Sequence, residues 1–109
     1  MEFSAGNRQA IMDGLRGAAS EKGGTSADVF RGFRYPVYGK TGTAERGLNP
    51  DQSWYAAYVP HPTRPIVVVT TVERGGFGAE TAAPAARLIL AEWFHLSDRS
   101  FHAGSSQTR

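Results

Sequence analysis

The sequence has 109 residues, of which 40% are hydrophobic and 20% charged; this length allows one small globular domain and excludes two. The 12 basic and 10 acidic residues are interspersed and leave a formal net charge of +2, which argues against a nucleic-acid-binding protein. Cysteine is absent, which excludes a thiol nucleophile, and no apolar run reaches the roughly 18 residues of a membrane span, so the chain itself is expected to be soluble.

The first predicted element is an amphipathic helix over residues 7–20, where apolar residues recur at helical spacing. Ser4 or Asn7 is available to cap its first turn. The paired glycines at positions 23 and 24 allow the left-handed turn that ends such a helix. A short helical turn over residues 28–30 follows.

Three strands are predicted in the middle of the chain. The first is centred on residues 37–43, and a loop rich in turn residues over 46–51 separates it from the second, at 53–59. Residues 61–65 form a turn, and the β-branched segment 66–73 forms the third strand, which pairs with the second as a hairpin. The strands therefore predict a three-stranded antiparallel sheet.

A second long helix is predicted from Glu80 or Thr81 to Phe94, with Pro84 in its first turn. The apolar residues of this helix expected to face the sheet are Ala85, Leu88, Ile89 and Trp93. The aromatic residues expected in the core, rather than on a stacking platform, are Trp54, Tyr55, Trp93 and Phe94. The predicted fold class is α+β, with the last helix packed on the sheet. The folded segment covers residues 1–96, and residues 97–109 form a flexible tail.

The segment Lys40-Thr41-Gly42-Thr43 concentrates chemistry in the first strand. A lysine on a strand provides a fixed positive charge, and threonines at alternate positions point to one face. The glycine between them removes a side chain that would block an approaching peptide. Such a strand can bind an extended peptide that ends in a carboxylate. A phosphate loop is excluded, because position 34 is arginine where that motif requires glycine.

This segment resembles the third active-site motif, Lys-Thr-Gly-Thr, of the penicillin-binding proteins, which are serine D,D-transpeptidases that cross-link peptidoglycan. Flanking features occur in the family's order. A Gly-Thr pair at 24–25 precedes the motif, and an aromatic strand, a Val-rich strand followed by paired glycines, and an Ala-Ala-Pro-Ala-Ala run at 82–86 follow it. The resemblance covers about residues 7–94 and points to the class B enzymes of the elongation type.

The resemblance implies roles for four residues. Lys40 would be catalytic, lying beside the nucleophile and tuning proton transfer. Thr41, Gly42 and Thr43 would bind substrate, with the two hydroxyl groups on the carboxylate and the backbone N–H of Thr43 in an oxyanion hole. The partners implied for the full protein are the D-Ala-D-Ala stem peptide of peptidoglycan, β-lactams and the rest of the transpeptidase domain.

The nucleophile of this family is missing from the sequence. No serine has a lysine three residues on, and no serine or tyrosine has an asparagine two residues on, although the family requires Ser-x-x-Lys and a second Ser-x-Asn or Tyr-x-Asn element. Residues 1–96 are therefore expected to be the C-terminal segment of a transpeptidase domain, inactive alone. The resemblance implies a whole protein on the periplasmic face, anchored to the membrane through a segment absent here.

Other interpretations stay open. The chain could be a stand-alone module that binds an extended peptide or an anionic glycan without covalent chemistry along the Lys40 strand edge. Its exposed sheet edges predict that the isolated chain is a homodimer or only marginally folded. Neither a metal nor another cofactor is expected, since metal-ligand spacing is lacking around His61, His95 and His102.

Overall fold

The computed structural model describes residues 4–98 and 102–105. Within this part of the chain the elements follow in the order α1 (Ala5–Ser20), α2 (Ala27–Phe30), β1 (Tyr38–Arg46), β2 (Asn49–Val59), β3 (Ile66–Val72) and α3 (Ala82–Trp93). The strands form one antiparallel sheet in the order β1-β2-β3. The predicted α+β fold class, with its helix, three-stranded sheet and C-terminal helix, is confirmed.

Helix α1 begins at Ala5, slightly before the predicted start. Ser4 is its N-cap, and the Ser4 hydroxyl accepts a hydrogen bond from the backbone N–H of Asn7 at 3.2 Å. After the helix, Gly23 has a φ of +87°, which confirms the predicted left-handed turn. Gly24 then packs against the end of α1 so closely that a Cβ there would lie 2.5 Å from a backbone oxygen of the helix.

The predicted loop over residues 46–51 is wrong, because β2 already begins at Asn49. Only Gly47 and Leu48 connect the two strands, and the φ of +66° at Gly47 suits a tight hairpin turn. Pro50 is tolerated in β2 because the register between β1 and β2 is irregular next to it, where the missing N–H of proline costs little. Turn-forming residues at 47–50 therefore concealed the true length of both strands.

The two faces of the sheet differ in their surroundings. On β2, Ser53, Tyr55 and Ala57 are buried, whereas Trp54 and Ala56, which alternate with them, are exposed. The face that carries Tyr55 is covered by helices and holds the core; we call it the helix-covered face, and the face that carries Trp54 the open face. Residues paired across neighbouring strands point to the same face, so the register assigns each residue of β1 and β3 to the face of its partner on β2.

Helix α3 packs on the sheet through small residues rather than through the predicted apolar stripe. The residues it buries are Ala82, Ala83, Pro84, Ala86, Arg87, Leu90 and Ala91. Ile89 is 47% exposed, so the prediction that it faces the sheet is wrong. Alanines allow the helix axis to approach the sheet closely, and this close approach selects the alanine-rich side of α3 over the side with the larger apolar residues.

The aromatic core prediction is half right. Tyr55 and Phe94 are buried, but Trp54 is 40% and Trp93 39% exposed. The indole N–H of Trp93 donates to the backbone oxygen of Arg64 at 3.2 Å, and the Arg64 guanidinium lies 4.5 Å from the indole ring centroid. Trp93 thus packs against the turn between β2 and β3, because its polar N–H finds a partner at the surface.

Part of the predicted flexible tail lies within the described residues. The backbone N–H of Gly104 donates to the oxygen of Ala79 at 2.9 Å, and the Ser105 hydroxyl lies 2.6 Å from a carboxylate oxygen of Asp28. The rest of residues 97–109, at 99–101 and 106–109, lies outside the described part of the chain. The flexibility of the tail stays a prediction.

Burial of Tyr55 makes the stability of the fold sensitive to alkaline pH. Desolvation raises the pKa of the Tyr55 hydroxyl from 10.0 to about 12. The folded state therefore holds this proton when the unfolded state has lost it, so stability is complete below pH 10 and falls between pH 10 and about 12. The loss amounts to roughly 3 kcal/mol.

The measurement is urea unfolding of the wild-type chain and of Tyr55→Phe between pH 9 and pH 12. The phenylalanine variant lacks this titration and serves as the control for all other alkaline effects. The difference in free energy of unfolding between the two proteins should shrink, or change sign, as the pH rises through this range. A constant difference would contradict the burial of an ionisable hydroxyl at Tyr55.

Candidate functional site

The segment from Lys40 to Thr43 lies in β1, at an edge of the sheet. β1 pairs with β2 on one side, and among residues 4–98 and 102–105 no strand pairs with its other side. The strand register sets Lys40 opposite Ala56 and Gly42 opposite Trp54. An edge strand of this kind has backbone groups available for pairing with an extended peptide.

Lys40 lies on the open face and its side chain is exposed. The Lys40 ammonium folds back onto its own strand and donates a hydrogen bond to the backbone oxygen of Thr41 at 2.6 Å. Beside it lies an apolar pocket of about 240 Å³. The other residues that line this pocket include Leu15, Tyr38, Ala56, Tyr58 and Val67.

Thr41 and Thr43 share the helix-covered face, as their alternate spacing predicts. Thr41 is 2% exposed, and its hydroxyl has no hydrogen-bond partner in the described part of the chain. The Thr43 hydroxyl accepts a hydrogen bond from the backbone N–H of Gly78 at 3.3 Å. The structure thus brings the two threonine side chains together and places the Lys40 side chain on the opposite face; the catalytic and substrate-binding roles of the four residues stay predictions.

The loop between β3 and α3 closes one end of this site. Gly78 lies directly against the β1–β2 pair, where an added Cβ would be 2.6 Å from the oxygen of Trp54 and 2.9 Å from the backbone of Gly42. Glycine allows the loop to approach the paired strands to this distance. The end of the Lys40-to-Thr43 segment is therefore packed on one face by the backbone of another loop.

Ser53 fixes this loop, and sequence reasoning did not identify it. The fully buried Ser53 hydroxyl donates to the oxygen of Phe77 at 3.0 Å and accepts from the backbone N–H of Ala82 at 3.1 Å. Thr81 adds a hydrogen bond from its hydroxyl to the oxygen of Gly75 at 2.8 Å. The glycine-rich run at 75–78 signals a close backbone approach, but nothing local to Ser53 indicates which backbone groups its hydroxyl would meet.

The described residues contain neither a cluster of metal-ligating side chains nor a membrane-spanning helix. Over 4–98 and 102–105, His, Asp and Glu side chains form no group of three that could hold a metal ion. No helix in the same ranges is long and apolar enough to cross a bilayer.

Comparison with known proteins identifies the family. The penicillin-binding protein transpeptidase domain family matches residues 1–91. The chain therefore belongs to the family of penicillin-binding protein transpeptidase domains.

Two relatives agree with the predicted resemblance to the elongation-type class B enzymes. The peptidoglycan D,D-transpeptidase MrdA of Haemophilus influenzae is 30% identical over an alignment of 97 residues, and the match covers 75% of this chain and 15% of MrdA. The crystal structure of Pseudomonas aeruginosa PBP2 in complex with WCK 5153 has the same fold, with a TM-score of 0.74 and 24% identity. This fold similarity covers 94% of the present chain and 22% of that chain, so the chain spans under a quarter of either relative.

The two threonines of the site should respond to substitution in opposite directions. Thr41→Val removes a buried hydroxyl that has no partner, so the free energy of unfolding should rise by about 1 kcal/mol. Thr43→Val removes the acceptor of the Gly78 N–H and should lower it by about 1 kcal/mol. Each variant is the control for the other, because both replace threonine by valine in the same strand.

The measurement for this pair is urea unfolding at neutral pH. Destabilisation by Thr41→Val of the same size as by Thr43→Val would contradict the absence of a partner for the Thr41 hydroxyl.

Proposed function

We propose that this chain is part of a peptidoglycan D,D-transpeptidase domain and supplies the strand that lines one wall of its substrate groove. The observation that carries the proposal is the position of Lys40-Thr41-Gly42-Thr43 on a sheet edge in a chain that belongs to the transpeptidase family. The substrate is the D-Ala-D-Ala end of a peptidoglycan stem peptide, and β-lactams occupy the same groove.

The edge of β1 provides what an extended peptide requires. A peptide can add to the strand through backbone hydrogen bonds, and Gly42 leaves the open face beside Lys40 without a side chain. Lys40 contributes a positive charge that attracts the terminal carboxylate.

The acylating serine comes from polypeptide outside this sequence, because no serine here has a lysine three residues on. In the assembled site this serine oxygen attacks the carbonyl carbon of the penultimate D-alanine and forms an ester, and the terminal D-alanine leaves as the amine. An amino group of a second stem peptide then attacks the ester, forms the cross-linking amide and releases the serine. Lys40 assists proton transfer beside the serine, and the N–H of Thr43 binds the developing oxyanion.

The parent enzyme acts outside the cytoplasm, and the family resemblance implies that it is anchored to the membrane. This location follows from the substrate, since peptidoglycan is cross-linked on the periplasmic side. The partners of the chain are then the substrate strand at β1 and the remainder of the transpeptidase domain.

Complementation tests the catalytic assignment. The chain is incubated with a penicillin, alone and mixed with a polypeptide that carries the Ser-x-x-Lys half of a family transpeptidase domain, and each component is measured by intact-mass spectrometry. We expect no adduct on this chain and an adduct on the complementing half in the mixture. Lys40→Met should slow the appearance of that adduct about tenfold or more, because it removes the charge beside the nucleophile.

The chain offers a matched control, since Lys22 is its only other lysine. Lys22→Met should leave the labelling rate unchanged, because Lys22 lies in the turn after α1. An adduct on this chain alone would show that the nucleophile has been assigned wrongly. No adduct in any mixture would instead favour the module that binds a peptide or an anionic glycan along β1 without covalent chemistry.

The isolated chain should associate or be only marginally folded, since the open face exposes apolar side chains. Val67 is 65% and Val69 61% exposed, and in the described part of the chain the outer edges of β1 and β3 pair with no strand. We expect a dimer by multi-angle light scattering, or a broad thermal transition. The double variant Val67→Lys with Val69→Lys should shift a dimer towards monomer. A wild-type monomer with a sharp thermal transition would contradict this prediction.

A further inference from the structure

The strand that carries Lys40 rests on the ring of Tyr55 at Gly39, the residue directly before the lysine. In the register of the sheet, Tyr55 of β2 lies opposite Thr41 of β1. Its ring extends beneath β1 towards Gly39, where an added Cβ would collide with the Tyr55 hydroxyl and lie 2.6 Å from the Cζ atom that bears it. Only glycine at this position lets the backbone of β1 lie on the ring.

The ring itself is held on both sides. Tyr55 is 1% exposed, and it stacks on Phe30 of α2 with the ring centroids 5.7 Å apart and the planes 25° from parallel. Its hydroxyl lies 2.8 Å from the hydroxyl of Ser26. The Ser26 hydroxyl donates its proton to the backbone oxygen of Ala18 at 3.1 Å. The Tyr55 hydroxyl is therefore the donor in its bond with Ser26.

Ser26 connects this contact to the helices. It is fully buried, and its backbone N–H donates to the same oxygen of Ala18, at 2.9 Å. A chain of contacts consequently runs from the end of α1, through Ser26 at the start of α2, to the tyrosine ring below β1. Charge plays no part in it, since all these groups are neutral at physiological pH.

By contrast, the side chains of Lys40 and Thr41 provide little anchoring of their own. The Lys40 ammonium donates a hydrogen bond to its own strand, and the Thr41 hydroxyl has no partner among the described residues. Beyond its backbone pairing with β2, the segment is held by contacts at its two ends. Gly78 packs at the Thr43 end, and Tyr55 packs at the Gly39 end.

We propose that Tyr55 and Ser26 are positioning residues for the segment from Lys40 to Thr43. The hydrogen-bonded tyrosine ring fixes the position of the β1 backbone at Gly39, and this backbone position determines where the Lys40 ammonium lies in the groove. This inference rests on the proposed transpeptidase function. Neither residue touches substrate or the reacting atoms. Their effect passes through the backbone of Gly39.

The test applies the complementation assay to Tyr55→Phe, Ser26→Ala and the double variant, each in the full chain. Tyr55→Phe keeps the ring stacked on Phe30 and removes only the hydroxyl. We expect the rate of penicillin labelling of the complementing half to fall about threefold to tenfold, which corresponds to the loss of one buried hydrogen bond. The double variant should lose no more than the larger single effect, because both substitutions break the same contact.

A second readout does not require the ligand. In spectra of the isotopically labelled chain, Tyr55→Phe should move the backbone amide resonances of Lys40, Thr41 and Gly42. Tyr35→Phe is the matched control, since the Tyr35 ring packs on Phe94, with centroids 4.7 Å apart, away from the motif. This control should leave both those resonances and the labelling rate unchanged.

The outcomes separate the two proposals. If the complementing half is labelled in the presence of the wild-type chain, and at the same rate in the presence of Tyr55→Phe, the positioning role is overturned and the transpeptidase assignment stands. Amide resonances that stay in place in Tyr55→Phe would also overturn the positioning role, whether or not the wild type labels. Absence of labelling with the wild type, together with shifted amides in the variant, would overturn the transpeptidase assignment while the structural contact stands.

Discussion

The register between β1 and β2 is the constraint on which the rest of the structure depends. With Thr41 opposite Tyr55, the Lys40 side chain lies on the open face and the two threonine side chains lie on the helix-covered face. A slip of one residue would exchange the faces and bury the ammonium group among apolar side chains. The cost of burying an unpaired charge would then oppose folding, so the arrangement of the candidate site and the arrangement of the core are set by the same pairing.

Small residues make this arrangement possible. Gly39 admits the ring of Tyr55 against β1, and Gly78 admits a loop against the same face of the β1–β2 pair. Ala83 and Ala86 allow α3 to lie close to the sheet. At each of these places a larger side chain would separate two layers that the site needs in contact. The exception is Arg87, which is 1% exposed and whose guanidinium lies 3.3 Å from Asp98 and 5.4 Å from the ring of Phe33.

Sequence reasoning predicted the elements whose periodicity is strong. The β-branched run of β3 and the helical spacing of α1 each allowed one interpretation, and the structure agrees with both. It failed where two signals competed: turn-forming residues concealed the start of β2 at Asn49, and large apolar residues drew attention from the alanines of α3. In both cases the sheet supplied a tertiary contact that outweighed the local preference.

The candidate site shows the same division. The motif from Lys40 to Thr43 is visible as four consecutive letters, and alternation along a strand places both threonines on one face. Ser26 and Ser53 could not be found in this way. Each hydroxyl acts on backbone groups more than seven positions away or on a residue of another element, and single-sequence patterns do not encode such distances.

The double hydrogen bond of the Ser53 hydroxyl has an evolutionary consequence. Through it, the first turn of α3 and the loop that packs on Gly42 share one anchor within β2. A substitution at the start of α3 therefore alters the packing at the end of the motif strand, even though the helix and the strand are far apart in sequence. Across descendants of this gene, residues 75–82 should vary as slowly as the motif itself, while the solvent-facing side of the same helix drifts freely.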